Sequence, residues 1–260
     1  MTESSLSVGV IGVGSMGQHH ARVYSELADA TLTGVYDVDS EQVEQIAAEY
    51  GTDAMPIDEL IASVDAVSIA VPTEYHYNIA RKCIENGVSI LVEKPFVSEV
   101  KNGEKLIELA EQYGVQIQVG HIERFNPAVE ALSDIVPQLD VTAVDASRLG
   151  PDPGREIKDT VVSDLMIHDI DIVLSLIDSE IESIQTAGTA GGRYAASTLT
   201  FADDTVATLT ASRQTQQKIR ELTITASDRL VKVDYLDQSI EIHRQSAPEF
   251  ITDDGSVTYR

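Results

Sequence analysis

At 260 residues the chain is long enough for one large domain or two ordinary ones, and 43% hydrophobic residues mark it as globular. Its 43 acidic residues against 18 basic ones give a formal net charge of −25, which excludes the basic stripe that binding to nucleic acid requires. No run approaches the roughly 18 apolar residues needed to cross a bilayer, so no membrane partner is expected either.

The acids are interspersed, as at Asp37, Asp39, Glu41, Glu44 and Glu49. They therefore read as a folded acidic surface, which repels itself unless salt screens it. With only seven lysines, the composition is similar to that of cytoplasmic proteins from extreme halophiles. The start, "MTESSLSVGVIGVG", lacks a basic n-region and a cleavage site, so no signal peptide is read and a cytoplasmic location is expected. The single Cys83 has no partner for an internal disulfide, and no activating base is suggested beside it.

Strand-like runs at 7–12, 31–37, 66–71, 88–93 and 115–120, with a weaker one near 53–55, alternate with helical patterns at 15–28, 40–50, 75–86 and 101–113. Continuous apolar strands separated by helices predict a parallel sheet covered on both faces, an α/β doubly wound domain over 1–121. From about 139 the pattern changes to alternating strands at 140–148, 181–188, 193–201, 205–213, 219–226, 229–235 and 239–244, with a polar hairpin turn in "FADDTVA". One strong helix is expected at 161–177. This predicts an α+β domain with a mainly antiparallel sheet over 122–260.

In "VIGVGSMGQHH", Gly12, Gly14 and Gly17 have G-x-G-x-x-G spacing. Alone that could be a glycine turn. Here it follows a strand, opens a helix, and is followed by Asp37 at the end of the second strand, which is the context a dinucleotide fingerprint requires. The loop Val13, Ser15 and Met16 would present N–H groups to a pyrophosphate. Asp37 sits where a carboxylate meets the ribose hydroxyls; a helix-capping role is its alternative. With Asp39 close behind and no arginine nearby, NAD is expected in preference to NADP. Ligands of doubly wound sheets bind outside the carboxyl ends of the strands. That places Val71, Pro72 and Thr73, Glu93 and Lys94, and Gly120 and His121 around the cofactor. Lys94, in "ILVEKPF", ends a buried strand, where an unpartnered ammonium is costly.

"GVIGVGSMGQHHARVY", "AVSIAVPTEYHYNIARKCIENGVSILVEKPF", "VGHIERFNP" and "DLMIHDIDIV" resemble the glucose–fructose oxidoreductase and inositol dehydrogenase (Gfo/Idh/MocA) family. Within it, the motifs are most similar to those of archaeal UDP-N-acetylglucosamine 3-dehydrogenases. The resemblance implies an NAD-dependent dehydrogenase of a sugar or UDP-sugar, with Lys94, Asp164 and His168 as catalytic residues. It also implies His76 at the cofactor, and Arg124, Asn126, Arg155 and Asp164 at the substrate. Asp164 and His168 are four residues apart on one expected helix face, where carboxylate and imidazole can act together. A metal site is the alternative for this acidic helix, and the resemblance implies none.

Arg124, Arg148, Arg155 and Lys158 are clustered for so acidic a chain and suit a diphosphate, ordinary surface pairing being the alternative. Two departures from the family pattern stand out. "IKDTVVSD" replaces the glycine-rich run that often precedes D-x-x-x-H, and the chain stops at "TDDGSVTYR" where family members usually continue. A polyol dehydrogenase and a non-catalytic NAD-binding regulator remain open alternatives. A half-covered second sheet would favour a homodimer or homotetramer.

Overall fold

The computed structural model describes residues 5–152, 154, 157, 159–244, 248–251 and 257–259, the last two segments as backbone. The chain divides into two compact units, Met1–His121 and Ile122–Arg260.

The first unit runs β1 (Leu6–Ile11), α1 (Gly17–Glu26), β2 (Ala30–Tyr36), α2 (Ser40–Tyr50), β3 (Asp53–Ala54) and α3 (Ile57–Ala62). It continues with β4 (Ala66–Ile69), α4 (Thr73–Glu85), β5 (Ser89–Val92), α5 (Val100–Tyr113) and β6 (Ile117–Val119). All six strands are parallel, in the order β3-β2-β1-β4-β5-β6. Because both faces are covered, the central strands β1, β4 and β5 are mostly apolar. Val10 and Val35 pack with Ala21, Val43 and Ile46 on one face, while Ile11, Ile69 and Val92 pack with Cys83, Ile84 and Leu106 on the other. The strand order reverses between β1 and β4, so the tips of β1, β4 and β5 gather at a topological switch point. β4 is shorter than its apolar run because Ala70 turns into Pro72, which caps α4 and cannot donate to a ladder. The short α3 is absent from the sequence reading.

The second unit opens with a 3-10 turn, Ile122–Phe125, then α6 (Pro127–Ile135), a 3-10 turn Val136–Gln138, and β7 (Val141–Leu149). A π-helical turn, Val162–Met166, leads into α7 (Ile167–Leu176). There follow β8 (Ile181–Gly188), β9 (Tyr194–Phe201), β10 (Val206–Ser212), β11 (Ile219–Ala226), β12 (Arg229–Asp234) and β13 (Ser239–Arg244), and a separate two-stranded pair, β14 (Pro248–Ile251) with β15 (Val257–Tyr259). The large sheet has the order β13-β12-β11-β7-β10-β9-β8 and is antiparallel except where β10 lies parallel to β7. Alternate residues (Val144, Ala146, Leu209, Leu222, Ile224, Val231) turn inward onto Leu132 of α6 and Ile172 and Val173 of α7. The predicted hairpin turns at Asp203 and Asp204, where Thr205 N donates to Asp203 Oδ1.

Two differences from the sequence reading matter for the site. The helix expected over 161–177 is not regular, since Asp164 lies in the π-turn and His168 in the α-helix after it. Such single-turn widenings recur at functional sites. Helix α6 is also absent from the sequence reading, although Asn126 and Pro127 are the cap and first-turn residues of a helix start.

Candidate active site

In the first unit, the glycines each do a different job. Gly12 has φ +87°, and a Cβ there would come within 2.8 Å of Ala70 O and 2.7 Å of Val71 Cγ1, so the β1 tip rests directly on the β4 tip. At Gly17 a Cβ would lie 1.7 Å from Gly12 O, so only glycine lets α1 start where it does. At Gly14 a Cβ would meet nothing within 4 Å. The protein gives no packing reason for that glycine, whereas a pyrophosphate brought against the backbone does. Helix α1 has no side-chain cap and no acid in its first turn. Helix α2, by contrast, is capped by Asp39, which accepts from Glu41 N and Gln42 N. In a chain so rich in acid, the bare α1 terminus leaves its N–H groups and dipole for an anion. This loop fits the dinucleotide phosphates.

Asp37 is not the helix cap. It accepts from Val13 N at 2.7 Å and Asp39 N at 3.0 Å, and Gln42 Nε2 donates to Val13 O at 2.8 Å, so the glycine loop is tied to the end of β2. Ser15 and Met16 are exposed at the loop, while Val13 is buried beneath it.

His76, expected at the cofactor, lies beneath the Val71–Thr73 turn. Its ring is fully buried, with Nδ1 2.9 Å from Pro95 O and Nε2 2.8 Å from Val71 O. It ties the Val71–Thr73 turn to the turn bearing Lys94. Glu93 is likewise drawn inward: His20 Nε2 lies 3.0 Å from its Oε1, and Lys94 N donates to Oε2 at 3.3 Å. Burial raises the Glu93 pKa, but the bond and charge of His20 outweigh it, leaving the carboxyl below its ordinary range. His20 Nδ1 in turn meets Ser68 Oγ, which meets Tyr24 Oη. The Lys94–Pro95 peptide is cis, and Lys94 is half-buried at the β5 tip. This buried support is why a lysine can stand at the end of an apolar strand.

In the second unit, Asp164 and His168 are both half-buried. Arg213, just past the end of β10, donates from Nη2 to Asp164 Oδ2 and from Nη1 to Asp159 O at 2.7 Å. Asp169 turns to the core, where Arg148 holds it through Nε and Nη2, each at 2.9 Å. The Tyr235 ring covers that guanidinium at 5.5 Å, and Glu123 adds a second carboxylate at 3.3 Å. Burial pushes the Asp169 carboxyl up even with the guanidinium beside it. Arg148 is thus a structural cation and not a phosphate contact.

Two expected substrate contacts are also engaged by the fold. Arg124 forks onto Asp171, both bonds at 2.7 Å. Asn126 caps α6 through Ala128 N and donates to Tyr235 O at 3.1 Å. Arg155 and Lys158 lie outside the described residues. Among the described residues, no three His, Cys, Asp or Glu side chains gather as a metal set.

Residues 6–121 match the family model described as an oxidoreductase family with an NAD-binding Rossmann fold, and residues 143–242 match the C-terminal domain of the same family. The chain belongs to the Gfo/Idh/MocA oxidoreductase family. Among relatives in this family, UDP-N-acetylglucosamine 3-dehydrogenase of Acidithiobacillus ferrooxidans is 35% identical over 250 residues, 93% of this chain and 78% of that one. That relative is bacterial, not archaeal as the motifs suggested. The NAD(+)-dependent scyllo-inositol 2-dehydrogenase of Bacillus subtilis is 30% identical over 72% of this chain, which spans 58% of that enzyme. The solved structure of the Acidithiobacillus enzyme matches with TM-score 0.87 at 35% identity, over 92% of this chain and 80% of that one. Relatives in the family are thus sugar and nucleotide-sugar dehydrogenases. Of the residues that support the family motifs here, His20 and Arg213 escape a reading of the sequence. His20 stands 73 positions from Glu93 and Arg213 stands 49 from Asp164. The one local signal is an arginine ending an alternating strand in a chain poor in bases.

Proposed function

We propose that this protein oxidises a secondary hydroxyl of a UDP-N-acetylhexosamine, at C3, with NAD as the oxidant. The 35% identity to a UDP-N-acetylglucosamine 3-dehydrogenase over 93% of the chain supports this most, beside the presence of Lys94, Asp164 and His168 at the family motif positions. When bound, NAD supplies the hydride acceptor. The carbinol C–H leaves as hydride, the hydroxyl proton passes to the His168 imidazole, and the products are the ketone, NADH and a protonated histidine. The Lys94 ammonium stabilises negative charge developing on the reacting oxygen. Asp164, held by Arg213, orients the substrate. Asp37 and Asp39 disfavour the extra phosphate of NADP.

Two further readings belong to the same proposal. The protein works in the cytoplasm; no helix among the described residues is long and apolar enough to cross a membrane. It assembles as a homo-oligomer through the outer face of the large sheet and its edge strand β8, where Ile181 and Ile184 are exposed. Inositol dehydrogenases of the family favour a polyol as the second substrate reading. NAD⁺ reduction, followed by NADH absorbance with UDP-N-acetylglucosamine and myo-inositol side by side, separates the two. Turnover of the nucleotide sugar alone is expected; turnover of myo-inositol alone overturns the substrate assignment.

A further inference from the structure

The second unit disposes of its guanidinium groups in pairs. Among the described residues, Arg124, Arg148, Arg193, Arg213 and Arg229 each hold a carboxylate. With 43 acids to 18 bases, that is the expected outcome. Arg220 departs from it. It is half-buried at the start of β11, and among the described residues its hydrogen bonds go only to main-chain carbonyls. Nη1 donates to Leu149 O at 2.6 Å and to Ile219 O at 2.7 Å. Both bonds use the same nitrogen, so among the described residues the Nε–Nη2 edge keeps its three N–H donors. That edge is the fork that matches two oxygens of a phosphate. In Arg124 and Arg148 the same edge is already closed by Asp171 and Asp169.

The placement is equally specific. Arg220 is directly opposite Arg148 in the β7–β11 ladder, and directly paired residues share a face. Arg148 faces α7, so Arg220 stands on the helix side of the sheet. It lies at the end where β7 runs into Gly150 and β10 into Arg213, the partner of Asp164. The charges acting on it are Arg148, Asp169, Glu123 and Asp164; burial and the like charge of Arg148 hold its pKa below the ordinary arginine value, and it remains a cation. A partly desolvated cation beside a like charge gains from an anion supplied from outside.

We propose that Arg220 is the anion-recognising residue of the substrate site, taking a phosphoryl group of a nucleotide-sugar substrate on its Nε–Nη2 edge. This rests on the reading of Asp164 and His168 as substrate-site residues. It makes Arg220 the residue that distinguishes a nucleotide sugar from a neutral polyol.

The test compares wild type, Arg220→Gln and Arg220→Lys. Steady-state kinetics are measured with UDP-N-acetylglucosamine, NADH affinity by fluorescence titration, and UDP binding by calorimetry in the presence of NADH. Arg220→Gln is expected to raise KM for the nucleotide sugar and Kd for UDP roughly 10- to 100-fold, with kcat and NADH affinity within about 3-fold. Arg220→Lys keeps a charge without the fork and is expected to fall between. Unchanged UDP and UDP-sugar affinity in Arg220→Gln overturns the proposal and leaves the substrate reading standing. An equal loss of UDP and NADH affinity in Arg220→Gln shows a structural role and also overturns it. Arg220-dependent binding of UDP without UDP-sugar turnover sustains the anion site and sinks the reaction assignment. A wild type that binds no UDP overturns both.

Discussion

Gly14 and Gly17 differ by what a single methyl group would meet. Gly17→Ala puts a carbon 1.7 Å from the Gly12 carbonyl, so the variant is expected to lose at least 1–3 kcal/mol of stability, about what overpacking costs. Gly14→Ala meets no protein atom and should melt within about 1 °C of wild type, yet bind NADH roughly tenfold more weakly, a loss of about 1.4 kcal/mol. Thermal melts and NADH fluorescence titration of the two variants check the pair; normal binding by Gly14→Ala would contradict the phosphate reading. Glu93 makes a prediction in pH. Its folded pKa lies below its unfolded value of about 4.3, so its stabilising contribution is present above that pH and lost as pH falls through the folded value. His20→Gln should flatten that acid loss in denaturant titrations run from pH 6 to about pH 3. Burial lifts the Cys83 thiol to about 12, so iodoacetamide should leave it unmodified in the native protein.

At the scale of elements, α7 and β7 share one buried ion pair. Arg148→Ala leaves the Asp169 carboxylate enclosed without its fork and is expected to cost about 3–5 kcal/mol. Replacing both, Arg148→Met with Asp169→Leu, should recover most of that loss, as denaturant unfolding of the three variants would show. This pairing also marks where sequence reading ends. The strands, the parallel and antiparallel sheets and the cofactor loop follow from local signals: apolar runs, alternation, glycine spacing, and an aspartate at the end of β2. What those signals omit is tertiary. Nothing local couples His20 to Glu93, Arg213 to Asp164, or Arg148 to Asp169, and the carboxylate partners of Arg124 and Arg148 lie 47 and 21 positions away. The π-turn is hidden for a related reason, since 161–177 has an unbroken helical pattern and the widening arises only from its packing. The two carbonyls that hold the His76 ring are likewise tertiary, one of them on the turn that follows Lys94.

For the whole molecule the governing number is the net charge of −25. Spread over two units, that charge opposes compaction, and raising KCl from about 0.1 to 1 M shortens the screening length from about 10 to about 3 Å. The melting temperature is therefore expected to rise with KCl over that range; a flat or falling curve would remove the halophilic reading. The reaction itself is tested by variants and by label. Lys94→Ala and His168→Ala should each lose about 100- to 10,000-fold in kcat while NADH binding stays within about 2-fold. The most direct measurement uses UDP-N-acetylglucosamine deuterated at C3, with NAD⁺ and the protein in molar KCl, followed by mass spectrometry of the NADH formed. The account predicts deuterium in the NADH and a ketone at C3 of the sugar. Unlabelled NADH, or bound cofactor with no NADH formed, would contradict it.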